Sequence, residues 1–422
     1  MTSNAMADAT TDSAGSSTVE PLGASHAPFP AAATEKATLR IVIGADTYPP
    51  DVNGAANFAA RLATGLAQRG HDVHVVCPST TARSTVESNG LVTVHRVGSW
   101  ATSHPTFRVV PPARAMRQAR ALLAELAPDV AHIQAHFLLG RGLAAAARRT
   151  GVALIATNHF MPENLHGHLR LPRPLRSAAS RLGWWDLRRV LRRAQIVTAP
   201  TPRAVQLLAE HGVPSAVPVS CGIDLDRFPR PERAPMPDHL APHVLFVGRL
   251  DEEKRVHELL LAAHRLRRDH RVRVEIVGDG KCRGALRKLA GRLGIAGDVT
   301  FHGYVDERAL VDAYLRADVF CMPGVAELQS LATMDALAAG KPVVAADAMA
   351  LPHLVSNGVT GWLYPPGDVA ALADRLRRLI EDPAARIRMG IAGRRHIAQH
   401  TMASTLDRFE GLYSELAMAA RP

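Results

Sequence analysis

Residues 323–344 read PGVAELQSLATMDALAAGKPVV. An apolar run ends at Met322, a short loop follows, and a helical pattern spans about 328–339 until Gly340 stops it. Pro342-Val343-Val344 then opens another apolar run. Strand, loop, helix, glycine stop and strand in this order predict one unit of a parallel α/β sheet. Glu327 stands at the expected helix start and Asp335 lies two turns further on, on the same face. About 12 Å along a helix axis is too far for two carboxylates to share a proton. It suits two ends of an elongated, hydroxyl-rich ligand. Such a spacing of acids is common by chance, so the surrounding chain has to decide.

The same unit recurs on both sides. Apolar runs at 39–44, 72–77, 91–97, 130–133, 152–157 and 195–199 alternate with helical patterns such as 54–69 and 138–149. A second series follows, with expected strands 243–248, 272–277, 298–302, 318–322 and 342–345. Its expected helices are 255–267, 281–293, 307–316, 328–339, 368–381, 384–399 and 404–419. Residues 222–243 between the series carry five prolines and little apolar periodicity, and read as a linker. The expected fold class is α/β, with two Rossmann-like, doubly wound domains facing across a cleft. The expected segments are a disordered tail 1–38, an amino-terminal domain 39–221, a linker 222–242, a carboxy-terminal domain 243–403 and a closing helix 404–422.

Composition narrows the partners. Of 422 residues, 47% are hydrophobic and 21% charged, and no apolar run approaches the roughly 18 residues of a spanning helix. Fifty Lys and Arg against 39 Asp and Glu give a net charge of +11. That favours an anionic partner: nucleic acid, an anionic membrane or a phosphorylated small molecule. No nucleic-acid-binding motif accompanies the charge, so no nucleic acid is expected. Cys77, Cys221, Cys282 and Cys321 lie far apart without metal-ligand spacing and read as buried free thiols in a reducing compartment. The first 38 residues have no Lys or Arg before Lys36 and no apolar run, unlike a secretory or transit segment. A cytoplasmic protein is expected.

Three turns follow expected strands. In GADTYPPDVNG (44–54), Gly54 opens a helix and would let a ligand approach backbone N–H groups at the positive end of the dipole. An ordinary βα turn would look the same. In Gly248-Arg249-Leu250-Asp251-Glu252-Glu253-Lys254, the planar fork of Arg249 and the point charge of Lys254 suit a diphosphate. Surface charge balanced by the three acids is the alternative. Gly278-Asp279-Gly280 is a further tight turn.

Taken in order, these segments resemble the retaining glycosyltransferases of family 4, which have the GT-B fold. The resemblance covers about residues 39–420. It rests on Gly54, Gly222-Ile223-Asp224, Gly248-Arg249 with Lys254, Gly278-Asp279-Gly280 and His302-Gly303-Tyr304-Val305. The acid-x7-acid segment followed by Ala339-Gly340-Lys341-Pro342-Val343-Val344 completes it. The resemblance implies a nucleotide-sugar donor, with GDP-mannose and UDP-glucose as candidates, and no required cofactor or metal. It implies that Arg249 and Lys254 clamp the diphosphate, that Glu327 positions the hexose and that Asp335 holds the ribose hydroxyls. His159 matches the amino-domain histidine placed near the reacting sugar, and a purely structural histidine is the alternative. Gly54, Gly278, Ser330 and Leu331 would line the donor site, with Tyr304 in the nucleobase seat. Two positions depart from the pattern. Asp335 stands where Glu is usual, and Leu328-Gln329-Ser330-Leu331 replaces an aromatic-glycine pair. Asp224-Leu225-Asp226 imitates a metal-binding motif of another transferase fold, but it follows Gly222-Ile223 as the GT-B pattern does.

Residues 165–193 (LHGHLRLPRPLRSAASRLGWWDLRRVLRR) hold eight Arg and one Asp. Leu182, Trp185, Val190 and Leu191 are expected to share an apolar face ringed by Arg188, Arg189, Arg192 and Arg193. A basic amphipathic helix with interfacial tryptophan suits an anionic membrane surface, which would bring a lipid acceptor to the cleft. A solvated basic helix packed on its own domain is the alternative. The functional expectation is a hexosyltransferase. A soluble sugar, inositol or natural-product acceptor, a nucleotide-sugar epimerase of the same architecture and a non-catalytic sensor are its rivals.

Overall fold

The structure is a computed structural model, and it describes residues 38–51, 53–102, 108–162, 173–229 and 241–420. Nearly all of the expected tail and the middle of the expected linker lie outside these residues, as do residues 165–172 of the basic segment.

The amino half runs β1 (Arg40–Gly44), α1 (Gly54–Gln68), β2 (Asp72–Pro78), β3 (Thr85–Asn89), β4 (Val92–Val97), β5 (Trp100–Ala101) and β6 (Arg108–Val109). It continues with α2 (Pro112–Leu126), β7 (Val130–Ile133), α3 (Leu138–Thr150), β8 (Ala153–Thr157), α4 (Arg173–Leu191), β9 (Ile196–Ala199), α5 (Pro202–Glu210) and β10 (Ala216–Pro218). Its sheet has the order β10-β9-β8-β7-β1-β2-β4-β3, parallel except for β3, which pairs antiparallel to β4. The central strands are largely apolar because helices cover both faces; in β7 and β8 every residue is buried, His132 and Thr157 included.

The carboxyl half contains β11 (His243–Val247), α6 (Val256–Leu266), β12 (Arg273–Val277), α7 (Arg283–Arg292), β13 (Val299–Gly303), α8 (Glu307–Arg316), β14 (Val319–Met322) and α9 (Leu331–Ala338). After these come β15 (Val343–Ala346), α10 (Leu351–Leu354), β16 (Gly361–Tyr364), α11 (Val369–Glu381), α12 (Pro383–Ile397) and α13 (Met402–Ala419). The sheet order is β13-β12-β11-β14-β15-β16, all parallel. In each sheet the order reverses beside the first strand, between β1 and β7 and between β11 and β14. Loops diverge at such points, and ligands of these folds lodge there.

The structure departs from the sequence reading at several elements. β3, β5, β6, β10 and β16 were not expected. β3 is exposed along its whole length and has no apolar face to signal it, and the others are too short to show periodicity. α9 begins at Leu331 rather than near 328, because Ser330 has a left-handed backbone (φ 66°) that breaks the helical path. Cys77, Cys221 and Cys321 are buried free thiols, whereas Cys282 is only partly covered.

The last helix returns to the amino half. Leu406, Phe409, Leu412, Tyr413 and Leu416 of α13 join Ile41, Ile43, Phe58 and Leu62 in one buried cluster. At its edge Arg69 pairs with Asp407 at 2.7 Å and with Glu410 at 2.9 Å. Phe409 is fully buried, with its ring 6.0 Å from Phe58 and 5.9 Å from Tyr413. Replacing Phe409 by Ala is expected to cost about 3–5 kcal/mol through lost burial and a cavity. A lower urea midpoint followed by circular dichroism checks this, and an unchanged midpoint would contradict the packing role.

Candidate functional site

Three loops at the carboxyl ends of strands converge in the carboxyl half. The loop after β11 is held to the turn after β12 by Leu250 N–H donating to the Asp279 carbonyl at 2.9 Å and Cys282 N–H donating to the Leu250 carbonyl at 2.8 Å. Gly278 has φ 122°, and a Cβ there would fall 2.1 Å from the Gly248 carbonyl, so only glycine fits. Its N–H donates to the Gly303 carbonyl at 2.8 Å, which brings the turn beside Tyr304. Tyr304 is 59% exposed. The loop after β14 joins the same group through Val325 N–H, which donates to the Glu253 carbonyl at 3.0 Å.

The charged side chains already pair among themselves. Arg249 meets Asp251 at 2.8 Å and Glu253 at 3.2 Å. Lys254 Nζ contacts Glu327 Oε1, and both are largely buried. The balance by neighbouring acids foreseen for this loop thus holds for Asp251 and Glu253, which pair with Arg249. Glu327 sits in the loop four residues before α9, so the expectation that it shares a helix face with Asp335 does not hold. Ser330 turns the chain into α9, and its hydroxyl bonds Thr333 Oγ1 at 2.8 Å instead of capping a backbone N–H. The N-terminus of α9 at Leu331 therefore keeps its positive end without a side-chain cap.

Asp335 is largely covered within α9. Burial raises its carboxyl to about 6, opposed chiefly by the Arg227 guanidinium, which donates to Oδ1 at 3.0 Å. Arg227 comes from the short turn Leu225–Arg227 after Gly222, and it also pairs with Glu307 at 2.5 Å. A ribose at Asp335 would have to share the carboxylate with Arg227. The Asp224-x-Asp226 pair has a local job: Asp224 Oδ1 accepts the Asp226 N–H at 2.9 Å and caps that turn.

The amino half contributes from the opposite side. Asn53 caps α1, its side chain accepting from Ala56 N–H at 2.9 Å, and a Cβ on Gly54 would lie 3.8 Å from Leu331 Cδ1. The first residue of α1 therefore lies close to the Leu331 side chain at the start of α9. In the loop after β1, Asp46 accepts from Leu139 N–H at 2.9 Å and Gly140 N–H at 3.2 Å, capping α3, and burial raises its carboxyl to about 6. His159 follows β8. Its Nε2 lies 2.8 Å from Gln134 Oε1 and its Nδ1 3.9 Å from Cys221 Sγ, with its ring 4.9 Å from Phe58. Burial lowers its pKa to about 4, so the ring is neutral at pH 7 and donates Nε2–H to Gln134. Gln134 in turn reaches His132, whose two nitrogens lie 2.7 Å from the Tyr413 and Thr157 hydroxyls. Sequence reasoning missed Arg227, Gln134 and Gln329, polar residues whose partners lie far away in the chain and leave no local pattern.

α4 corrects the reading of the basic segment. Trp184, Leu187, Val190 and Leu191 form its buried face, and Trp184 stacks on His211 at 3.8 Å. Leu182 and Trp185, expected on that face, point outward instead, 64% and 47% exposed. Arg181, Arg189 and Arg192 are exposed beside them, and Arg189 lies 5.5 Å over the Trp185 ring. Among the described residues no helix is long and apolar enough to cross a membrane.

Residues 236–396 match the family model for glycosyl transferases group 1, and residues 52–227 match that for glycosyltransferase family 4. A GDP-mannose-dependent alpha-mannosyltransferase of Mycolicibacterium smegmatis is 32% identical over 387 residues, covering 89% of this chain and 97% of the relative. A D-inositol 3-phosphate glycosyltransferase of Streptomyces avermitilis is 32% identical, covering 82% of this chain and 79% of the relative. Among solved structures, a sucrose-phosphate synthase from Thermosynechococcus elongatus superposes with a TM-score of 0.76 at 21% identity, covering 90% of this chain and all of that one. The Anabaena HepE protein with UDP and glucose gives 0.69 at 17% identity, covering 89% of this chain. Similarity of that extent carries family membership: the chain belongs to glycosyltransferase family 4 and has the GT-B fold.

Proposed function

We propose that this glycosyltransferase moves a hexose, with retention and without a required metal, from a nucleotide-diphosphate sugar to a lipid hydroxyl at an anionic membrane surface. GDP-mannose is the first donor to test and UDP-glucose the second, the former because relatives over most of the chain are named for it. One observation carries the reading: the loop bearing Arg249 and Lys254 is joined to the loop bearing Glu327 by the Lys254–Glu327 pair and by Val325 N–H on the Glu253 carbonyl, and the second loop leads into an α9 end without a side-chain cap. Two cations and a helix dipole on adjoining loops would stabilise the charge that grows on a departing diphosphate.

The chemistry follows from those groups. A diphosphate draws Lys254 away from Glu327, which frees the carboxylate to accept a hexose hydroxyl. The bond from the sugar C1 to the phosphate oxygen breaks, and a new bond forms from C1 to the acceptor oxygen on the same face. The acceptor proton passes to the departing phosphate oxygen. Tyr304 gives the base an exposed stacking surface, Asp335 with Arg227 faces the ribose, and Gly54, Gly278, Ser330 and Leu331 let backbone approach the donor. His159, neutral and oriented by Gln134, borders the sugar from the amino half.

The outward face of α4 supports the lipid acceptor. Leu182 and Trp185 can enter the interface while Arg181, Arg189 and Arg192 meet anionic headgroups. A soluble inositol phosphate is the second reading, favoured by the name of the Streptomyces relative.

The test is transfer measured by mass spectrometry, with GDP- and UDP-hexoses offered alongside a lipid extract or inositol phosphate. A lipid gaining one hexose from one donor, undiminished by EDTA, is expected; transfer abolished by EDTA would overturn metal independence. Lys254→Ala and Glu327→Ala should each lower kcat/KM by about 10²–10³-fold, and near-normal turnover in either would remove its assigned role. Replacing Arg181, Arg189 and Arg192 together by Ser should weaken binding to phosphatidylglycerol vesicles by about 100-fold, at ~1 kcal/mol for each charge. Equal binding to neutral phosphatidylcholine vesicles would reject the electrostatic docking.

A further inference from the structure

The loop before α9 reaches across to the amino half. The Thr201 hydroxyl, at the start of α5, donates to the Leu328 carbonyl at 2.9 Å. The Gln329 side chain is buried and bridges two residues: Oε1 accepts from Cys221 N–H at 2.7 Å, and Nε2 donates to Ser220 Oγ at 2.7 Å. Ser220 and Cys221 lead into Gly222, where the chain leaves the amino half with φ 69°. Thr405 of α13 grips the same stretch from the other side, donating to the Ser220 carbonyl at 3.0 Å. Cys221 Sγ lies 3.9 Å from His159 Nδ1.

We propose that Gln329 is a positioning residue: its amide clasps Ser220 and Cys221 and holds the loop bearing Glu327 in register with His159 when the halves are closed. The inference rests on the transferase reading and deepens it. A buried primary amide is stable only while its donor and acceptor are both satisfied, so the clasp has two states, made or exchanged for water. Glu327 is tied to Lys254 of the carboxyl half, whereas Leu328 meets the amino half only through its packing and the Thr201 hydroxyl. Without the Gln329 amide those two contacts alone hold the loop to the amino half, so Glu327, carried with Lys254, is freer to move relative to His159. The donor's phosphates lie against the carboxyl half and would still bind. The cost falls on the closed, water-excluding geometry in which transfer occurs.

Gln329→Met keeps the length and volume of the side chain and removes both bonds. It should lower kcat about tenfold, leave the donor KM within about twofold and raise the ratio of donor hydrolysis to transfer. Its melting temperature should stay within about 3 °C of wild type. Ser220→Ala removes one contact and should show the same pattern with a smaller loss. Small-angle scattering without substrate should give a larger radius of gyration for Gln329→Met than for wild type. Wild-type kcat in both variants, or a loss that tracks a fall in melting temperature with kcat and KM changing together, would overturn the proposal. If the wild-type protein transfers no hexose, the transferase reading fails separately. Scattering then decides the clasp alone, and an unchanged radius would overturn it.

Discussion

The loop between β14 and α9 is held from several sides at once. It must leave the end of α9 uncapped by side chains, hold Glu327 against Lys254, and meet the amino half through Leu328 and Gln329. Ser330 makes this possible by turning the backbone through a left-handed conformation, which costs a non-glycine residue about 1–3 kcal/mol. Strain of that size persists only where the surroundings over-determine it. Here the Thr333 hydroxyl, the buried Leu328 and the Gln329 amide supply that surrounding.

Around that loop the charges are arranged as pairs that a ligand can exchange. Lys254 and Glu327 neutralise each other across two loops, Arg249 is balanced by Asp251 and Glu253, and Asp335 is held by Arg227. An empty anion site with unpaired, half-buried cations would carry a heavy desolvation cost. Pairing removes that cost and leaves these charges neutralised by contacts that a ligand could exchange.

The two halves are joined by more than a linker. α13 buries Phe409 and Tyr413 in the amino half, and the Tyr413 hydroxyl reaches His132, which lies next to Gln134 and so to His159. The helix that ends the chain thus supports the histidine bordering the junction. Arg227, in the turn that begins the linker, reaches into the opposite half to Asp335. Connection and site share residues, so movement of one half is felt at the other.

The βα alternation was legible in the sequence because strands buried on both faces and helices with one buried face leave different periods in the order of apolar residues. The glycine turns and the cations beside them were legible too, since each sits at a fixed step from a strand end. Gly278 does pack against Gly248, and Lys254 meets Glu327, at the carboxyl ends of their strands. The outward turn of Trp185 was not legible, because a helix with apolar residues on two sides offers two candidate core faces, and only the packing of Trp184 against His211 selects one. Nor were the partners of Asp335, Gln329 and His159, which come from residues 108, 108 and 25 positions away. A local pattern records how a residue suits its own helix or strand. Hydrogen bonds between distant segments are decided only when the sheets, the linker and the last helix bring those segments together.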